Sequence, residues 1–386
     1  MLVLGAGLQG SACTYDLLQN ADVERVVLAD VRKRPLPAFL ERYARDRRFS
    51  TVELDARDGD AVRTAMRGMD ACLNALPFYF NESVTSAAID AGVHACDLGG
   101  NTEIVFRQLE MDDQARDRGV TIIPDCGLAP GMVNILAQAG IGAMEAVRSV
   151  RIFVGGLPQH PKPPLNYQIV YSLEGVLDYY TTPSWVLREG EPVQLEALSE
   201  LEPIEFDEPV GTLEAFHTAG GLSTMAWTYR GRIQTMEYKT LRYPGHAEIM
   251  RAIRELGLLG QEPVEVDGAR VAPRRVFIAC AEPRLRRPAD RDLVALRVEV
   301  EGDRDDRPVR VVYDLIDLYD EATGVGAMER TTGFSLSITG QMQVEGRTRA
   351  TGVATPDRAV AADDYIDALA ARGIDIRCHE GAIAGA

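Results

Sequence analysis

The sequence predicts an α/β fold in two parts, a parallel sheet covered by helices followed by a mixed-sheet α+β domain. Short, wholly apolar runs alternate with helical patterns over the first 125 residues, which is typical of a parallel sheet with helices on both faces. After residue 126 the apolar runs follow one another with few helices between them, which indicates a mixed or antiparallel sheet. Three closely spaced glycines directly after the first run, Gly5, Gly7 and Gly10, are the third observation.

The elements of the first part follow in order from these runs. We expect strands at 2–4, 26–29, 52–54, 71–74, 94–97 and 121–124. Helical spacing or length predicts helices between them, at 11–19, 36–46, 61–67, 82–91 and 103–118. Together they define a first domain over residues 1–125.

The second domain is expected over residues 126–350. "LAPGMVNILAQAGIGAM" predicts a helix after a Pro-Gly turn, and "GHAEIMRAIRELGLLG" predicts a helix that ends at a glycine. Strands are predicted at "VRSVRIFVGG", "TLEAFHTAGG", "QTMEYKTLRY", "RRVFIACAEP", "DLVALRVEVEG" and "VRVVYDLIDLYD", whereas "SLSITGQMQVEG" fits a helix or a strand. "QHPKPP" (159–164) is a stiff proline-rich loop. A last helix is expected over 355–373, and whether it packs back on the first domain stays open.

Composition and charge narrow the function classes. The 58 acidic and 41 basic residues give a net charge of −17, which disfavours nucleic acid because such a surface repels phosphate backbones. No apolar run reaches the roughly 18 residues that a membrane helix needs, and no basic-then-apolar leader precedes the first strand. We therefore expect a cytoplasmic protein. The six scattered cysteines include no CxxC pair, so neither a disulfide framework nor a metal site is predicted.

Gly5, Gly7 and Gly10 have the spacing GxGxxG. Gly5 suits the tight turn from strand to helix, Gly7 lets a diphosphate approach the backbone, and Gly10 lets the helix pack against the sheet. The diphosphate would lie at the helix N-terminus, where free N–H groups and the helix dipole favour anions. The first domain is therefore predicted to be a Rossmann dinucleotide-binding domain.

Asp30 ends the second strand, where a carboxylate can hydrogen-bond the adenosine ribose. This favours NAD over NADP because the carboxylate repels a 2′-phosphate. Arg32, Lys33 and Arg34 keep NADP open, since they could reach a phosphate or simply begin a solvated helix. "NALPFY" (74–79) is expected to pass near the nicotinamide ribose. The expected cofactor contacts are Gly5, Gly7, Leu8, Gln9, Gly10, Asp30, Val31, Arg32, Asp55, Ala75, Leu76 and Pro77.

Two acids follow strands at the edge of the sheet where ligands bind in such folds. They are Asp97 in "CDLGG" and Asp125 in "PDCGLAPG". Each could act as a general base, hold a substrate ammonium, or cap the next loop.

The densest polar cluster outside the first domain is "EYKTLRYPGH" (237–246). On a strand, Tyr238, Thr240 and Arg242 face one side while Lys239 and Tyr243 face the other. Arg242 could clamp a carboxylate as a bidentate fork. His246 stands at a helix start, where its neutral form is favoured and could take a proton. The alternative is an edge strand with a charged solvent face.

Four segments resemble the saccharopine dehydrogenase family, and within it the L-lysine 6-dehydrogenases. They are "DCGLAPGMVNILA" (125–137), "VGGLPQHPKPPLNYQIVYSLEGVLDYYTTPSWVLREG" (154–190), "YKTLRYPGH" (238–246) and "RTTGF" (330–334). The resemblance implies that the second domain binds an amino acid and forms a homodimer or higher oligomer. It places "GLAPG" beside the nicotinamide and Arg242 on the substrate α-carboxylate, and the implied substrate contacts are Arg242, Tyr243, Asp125, Asn134 and Tyr171. Saccharopine reductases carry an acid where Ala129 stands.

The implied reaction is NAD-dependent oxidative deamination of the ε-amine of L-lysine. It would give 2-aminoadipate 6-semialdehyde, which cyclises, and ammonia. Hydride leaves only from a neutral amine, and the ε-ammonium has a pKa of about 10.4, so a base is expected. The candidates are His246, Lys239 and Asp97. The alternatives are a saccharopine or carboxynorspermidine dehydrogenase or reductase of the same family, and a non-catalytic dinucleotide-binding redox sensor.

Overall fold

The computed structural model describes residues 1–33, 35–287 and 290–382, so Arg34 lies outside the described residues. The first 125 residues alternate strands and helices as the sequence predicts. The strands are β1 (Leu2–Leu4), β2 (Val26–Asp30), β3 (Phe49–Glu53), β4 (Ala71–Asn74), β5 (His94–Asp97) and β6 (Thr121–Ile123). The helices are α1 (Leu8–Gln19), α2 (Ala38–Glu41), α3 (Gly59–Met66), α4 (Asn81–Ala91), α5 (Thr102–Leu109) and α6 (Asp112–Asp117).

The remaining elements belong to residues 126–382. The helices are α7 (Met132–Gly142), α8 (Leu173–Thr181), α9 (Met225–Thr228), α10 (His246–Glu255), α11 (Pro273–Leu285), α12 (Ala327–Glu329), α13 (Ser335–Val344), α14 (Pro356–Ala359) and α15 (Ala362–Ala370). The strands are β7 (Ala146–Pro158), β8 (Ser184–Arg188), β9 (Glu191–Leu195), β10 (Glu202–Glu205), β11 (Thr212–His217), β12 (Thr235–Arg242), β13 (Val264–Val266), β14 (Ala269–Val271), β15 (Asp292–Arg304), β16 (Arg307–Leu318), β17 (Gly352–Val353) and β18 (Arg377–Ala382).

The first sheet is parallel and has the order β17-β6-β5-β4-β1-β2-β3. Its central strands β1, β2 and β4 are apolar on both faces because both faces are covered: Val3, Leu28 and Leu73 pack into one core, and Leu2 and Val27 into another. All strands run the same way, so the segments after β1, β2, β4, β5 and β6 meet at one edge. β17 joins this sheet beside β6, and α13 packs on β4 and β5, although the sequence assigned residues 335–344 to the second domain.

The second sheet is mixed, with the order β10-β11-β12-β7-β15-β16-β18, and β8 links β12 to β9. β12 runs parallel to β7, while the other neighbours are antiparallel. This confirms the predicted α/β class with a mixed second sheet. None of the described helices combines the length and apolar character needed to cross a bilayer.

The strand predicted at 274–283 is wrong, because this segment forms α11. Pro273 occupies the first turn of the helix, where its fixed φ is favourable and no N–H is needed. Phe277, Ile278 and Ala281 share one helical face and pack on the core beside α8. The β-branched and aromatic run looked like a strand because its packing partners are distant in sequence.

Three further segments differ from the sequence prediction or decide between its alternatives. The helix expected over 355–373 is two helices, because Val360 is extended and buried between them. The ambiguous segment at 335–346 is helical, and it continues α12 through a π-helical turn at Arg330–Phe334. Residues 165–211, for which the sequence predicted no element, form α8, β8, β9 and β10.

Candidate active site

The predicted glycines form a tight turn between β1 and α1. Gly5 adopts φ +96°, a conformation that favours glycine, and its N–H donates to Ala29 O at 2.7 Å. A Cβ on Gly10 would lie 1.9 Å from Gly5 O, so a side chain there would push the helix off the turn. A Cβ on Gly7 would meet nothing within 4 Å. The turn therefore fits a diphosphate held by the N–H groups and dipole of α1.

Two neighbouring segments complete this cradle. Asp30 accepts hydrogen bonds from Ala6 N on Oδ2 at 2.9 Å and from Arg32 N on Oδ1 at 3.1 Å, so its carboxylate lies against the glycine turn. The 75–77 segment lies on the other side, because a Cβ on Gly5 would be 2.9 Å from Ala75 O. Asp30 and the 75–77 segment therefore lie together with the glycine turn at one edge of the first sheet.

The remaining predicted cofactor residues lie around the same edge. Leu8, Val31 and Arg32 are exposed, and Leu76 and Pro77 follow Ala75. Both polar side-chain atoms of Gln9 are buried and have no hydrogen-bond partner within the described chain. Asp55 pairs with Arg57 at 2.6 Å, and this hydrogen bond lowers the pKa of Asp55 to about 2.

Asp97 is a buried centre of hydrogen bonds. Its Oδ1 accepts from Asn81 Nδ2 at 2.9 Å and from Gly99 N at 2.7 Å, and its Oδ2 accepts from Gln108 Nε2 at 2.7 Å. Asp125 N donates to Oδ1 at 3.2 Å. Burial raises the pKa of Asp97 to about 6. Because protein donors occupy both oxygens, Asp97 is placed to fix the loops after β5 and β6.

Asp125 lies beside it with a different environment. It is 1% exposed and adopts φ +61°. Ser223 Oγ donates to its Oδ2, whereas Oδ1 has no hydrogen-bond partner of ordinary geometry within the described chain. The Gly100 amide is nonetheless close enough to stabilise the charge, while burial raises the pKa of Asp125 to about 7. A carboxyl group with a free oxygen and this pKa suits proton transfer near neutral pH.

Arg242 is buried among tyrosines. It is 2% exposed, its Nε donates to Tyr180 OH at 3.1 Å, and its Nη1 donates to Leu241 O at 2.8 Å. Its guanidinium lies 4.9 Å from the Tyr167 ring centroid and also approaches the Tyr171 hydroxyl. No Asp or Glu of the described residues pairs with it. A buried guanidinium without a carboxylate partner is suited to binding an anionic ligand.

His246 is connected to Arg242 through the hydroxyl group of Tyr180. Its Nδ1 lies 2.9 Å from Leu165 O and its Nε2 lies 2.9 Å from Tyr180 OH. Since a carbonyl can only accept, Nδ1 carries the proton and Nε2 accepts from the tyrosine. Burial, and then the Arg242 charge, lower the pKa of His246 to about 3. Both nitrogens are therefore occupied, and the ring is neutral.

Lys239 and Tyr243 face away from Arg242, as the strand period predicts. Lys239 Nζ donates to Glu202 Oε1 at 2.6 Å and to Glu200 O at 2.8 Å, and Tyr243 OH donates to Pro158 O at 2.9 Å. Lys239 belongs to a network of ion pairs with Glu237, Arg151 and Arg188 on that face. Glu200, His217 and Glu237 lie close enough to hold a cation, but Arg188 already binds both carboxylates.

A loop between β11 and α9 joins Asp125 to the tyrosines. Asn134 Nδ2 donates to the carbonyls of Gly221 and Leu222 at 3.4 and 3.3 Å, so this predicted substrate contact instead holds the loop. A Cβ on Gly221 would lie 2.4 Å from the Tyr238 ring, and one on Gly220 would lie 3.2 Å from the Tyr179 ring. Tyr179 also approaches Gly100. Contacts thus connect Asp125 and Gly100 with the tyrosines around Arg242, and we interpret this contiguous set of residues as the lining of the candidate site.

Sequence reasoning missed several residues of this lining. They are Ser223, Tyr167, Tyr179, Tyr180 and Thr218, whose hydroxyl lies 2.7 Å from that of Thr240. The signals available were the pair "YY" at 179–180 and the pair "GG" at 220–221, because adjacent glycines often mark a close approach of other groups.

A cleft of about 550 Å³ lies elsewhere, between α1, α13 and α15. Its charged walls are already paired, Arg372 with Asp16 at 2.7 Å and Arg330 with Asp317 at 3.0 Å. Its size alone therefore does not make it the site of chemistry.

Two family models match nearly the whole chain. Residues 1–123 match the saccharopine dehydrogenase NADP binding domain, and residues 127–374 match the saccharopine dehydrogenase C-terminal domain. The boundary between the two models falls between β6 and α7, directly at Asp125.

Two curated relatives are 22% and 23% identical to this chain over the aligned residues. The chain is 23% identical over 273 residues to alpha-aminoadipic semialdehyde synthase, mitochondrial, of Rattus norvegicus, which covers 68% of this chain and 28% of that protein. It is 22% identical over 283 residues to saccharopine dehydrogenase (NADP(+), L-glutamate-forming) of Saccharomyces cerevisiae, covering 69% of this chain and 60% of that protein. The matches thus span less than two thirds of either relative.

Two solved structures share the fold over almost the full chain. One is apo histidine-tagged saccharopine dehydrogenase (L-Glu forming) from Saccharomyces cerevisiae, with a TM-score of 0.79, 19% identity and 99% of each chain covered. The other is homospermidine synthase from Legionella pneumophila in complex with NAD, with a TM-score of 0.71, 11% identity, and 98% of this chain and 91% of that chain covered. At these identities they establish the architecture and leave the chemistry to the site.

Proposed function

The chain belongs to the saccharopine dehydrogenase family, and from that premise we propose that it oxidises the ε-amine of L-lysine with NAD. The observation that carries the proposal is Arg242, a buried guanidinium without an acidic partner in the described chain, which contacts between side chains connect with the Asp125 carboxylate. An α-amino acid whose reacting amine is distant from its carboxylate matches these two ends.

The substrate choice rests on the number of cations. Among the described residues assigned to this lining, Arg242 is the buried cation, and Lys239 faces the other side of β12. One guanidinium suits the single carboxylate of lysine, whereas saccharopine carries three. Saccharopine oxidation is the second candidate, because the names of the relatives favour it.

Each residue of the candidate site has its own role in the proposed reaction. Arg242 would bind the α-carboxylate through its remaining N–H groups, and the rings of Tyr171, Tyr179 and Tyr238 would cover the methylene chain and exclude water. Asp125 Oδ1 would take a proton from the ε-ammonium to leave the neutral amine. Asp97 keeps the Asp125 loop in place through the bond from Asp125 N.

The cofactor cradle fits a dinucleotide, held by Gly5, Gly7, Gly10 and Asp30. When bound, the dinucleotide supplies the hydride acceptor. The imine left on the substrate would be hydrolysed to 2-aminoadipate 6-semialdehyde and ammonia, with Asp125 returning its proton to the leaving nitrogen. We propose NAD over NADP because the Asp30 carboxylate lies beside the glycine turn and would repel a 2′-phosphate.

The test is NADH absorbance with lysine, ornithine and saccharopine, each with NAD and with NADP. We expect lysine and NAD to give the highest kcat/KM. Turnover of saccharopine but not of lysine would replace the proposed substrate. Binding of NAD without turnover of any of the three would favour the redox sensor. The predicted cytoplasmic location and homodimer stay predictions.

A further inference from the structure

A hydroxyl group of the second domain hydrogen-bonds a carboxylate at the end of the first domain. Ser223, in the loop between β11 and α9, donates to Asp125 Oδ2, while Asp125 itself follows β6 of the first sheet. Ser223 is 7% exposed and adopts φ +50°, a conformation that is rare for residues other than glycine. The loop therefore accepts a strained residue at the point where it meets the carboxylate.

The loop is fixed on both sides of Ser223. Ser223 N donates to Gly220 O at 3.0 Å, and Asn134 Nδ2 holds the carbonyls of Gly221 and Leu222. Gly131 N donates to Asn134 Oδ1 at 2.6 Å, which orients the amide. The hydroxyl of Ser223 is thus delivered to Asp125 by a loop with little freedom to move.

From this geometry we infer that Ser223 is a positioning residue for Asp125. By binding Oδ2 it leaves the proton-accepting role to Oδ1, which has no hydrogen-bond partner in the described chain, and it stabilises the ionised carboxylate that must accept the proton. The inference rests on the proposed function for the identity of the amine, but the contact between the two side chains does not.

The groups around Asp125 have opposite effects on its pKa. Burial raises the pKa of Asp125, and the Asp97 and Asp357 carboxylates add to this, whereas Ser223 and the Gly100 amide lower the pKa. Tyr179 also faces the carboxylate from α8. Of the groups that lower the pKa, Ser223 is the one whose side chain can be removed by substitution.

The test compares Ser223→Ala and Ser223→Gly with the parent enzyme. Both variants remove the hydroxyl, but glycine also relieves the backbone at φ +50°, so a shared effect belongs to the hydroxyl. Ser337→Ala removes another buried hydroxyl, in α13, and is the matched control. We expect the acidic limb of kcat/KM to move up by about one to two pH units in both Ser223 variants. The KM measured above that limb should stay near the parent value.

A second readout needs no substrate. At each pH, the melting temperature of the Asp125→Asn variant is subtracted from that of the enzyme that retains Asp125. The series is measured once with Ser223 present and once in the Ser223→Ala background. We expect the inflection of this difference to move upward with Ser223→Ala. If neither the limb nor the inflection moves, the inference is overturned. If the inflection moves and the limb does not, Ser223 still tunes Asp125, and it is the proposed base that fails.

Discussion

Replacing Arg242 by methionine removes the guanidinium, which lies over the Tyr167 ring, and keeps most of the aliphatic stem. If Arg242 holds the α-carboxylate, the change removes two charge-assisted hydrogen bonds, each worth about 1.5 to 3 kcal/mol. A loss of about 3 to 6 kcal/mol corresponds to a fall in kcat/KM of roughly two to four and a half orders of magnitude. Most of it should appear in KM, because the carboxylate lies far from the reacting carbon.

The same variant should not be less stable. The guanidinium of Arg242 is buried without a carboxylate in the described chain, so its desolvation opposes folding. We therefore expect the free energy of unfolding of Arg242→Met to equal or exceed that of the parent. A stable protein with a high KM would identify a residue kept for binding.

Lys239→Met is the matched control, since it removes a buried cation from the same strand on the opposite face. It leaves Glu202 with one fewer partner, so stability should fall by about 1 to 3 kcal/mol while KM for lysine stays unchanged. The assay is initial rates by NADH absorbance with lysine and with 1,5-diaminopentane, which lacks the carboxylate. Parent enzyme should prefer lysine strongly and Arg242→Met should not. A variant that keeps the parent KM and the parent preference would refute the assignment.

Three further changes test the rest of the site. Asp125→Asn should lower kcat by about 10²- to 10⁴-fold with little change in KM; activity that keeps its acidic limb would exclude Asp125 as the base. Because the pKa of Asp125 in the folded state is raised to about 7, its contribution to stability is present at low pH and is lost as the pH rises through that value. Asp125→Asn should therefore flatten this part of the plot of unfolding free energy against pH. An unchanged plot would contradict the raised pKa. His246→Phe should raise KM while leaving the pH profile in place, since the imidazole is already neutral; loss of a limb would mean that His246 transfers protons. Gly10→Ala should abolish NAD binding, measured by fluorescence titration, because its Cβ would lie 1.9 Å from Gly5 O; retained affinity would contradict the cradle.

The first domain could be predicted because its signals are local. The central parallel strands β1, β2 and β4 are apolar on both faces, and the glycine turn needs only its own neighbours and Ala75. The faces of β12 were also predictable, because alternation along a strand is a local rule and places Arg242 and Lys239 on opposite sides. The conformation of residues 274–283 could not be predicted from local signals, because α11 depends on packing against α8, about a hundred residues earlier in the chain.

The site itself was predicted only in part for the same reason. Arg242 and Asp125 carry a charge and stand out in the sequence, but their environments come from other segments. Ser223 reaches Asp125 from 98 residues away, and the tyrosines reach Arg242 from α8 and the loop before it. Whether an acid has a free oxygen depends on such neighbours, so Asp97 and Asp125 could not be told apart until they were in place.

His246 shows how this changes the meaning of a residue. In the sequence a histidine beside an arginine is a candidate base. In the fold its Nδ1–H donates to Leu165 O, its Nε2 accepts from Tyr180, and the tyrosine oxygen accepts from Arg242 Nε. This order requires a neutral ring, because a protonated Nε2 would take the tyrosine lone pair and repel the guanidinium. The histidine therefore orients Arg242 through Tyr180, and its low pKa is a condition of that role.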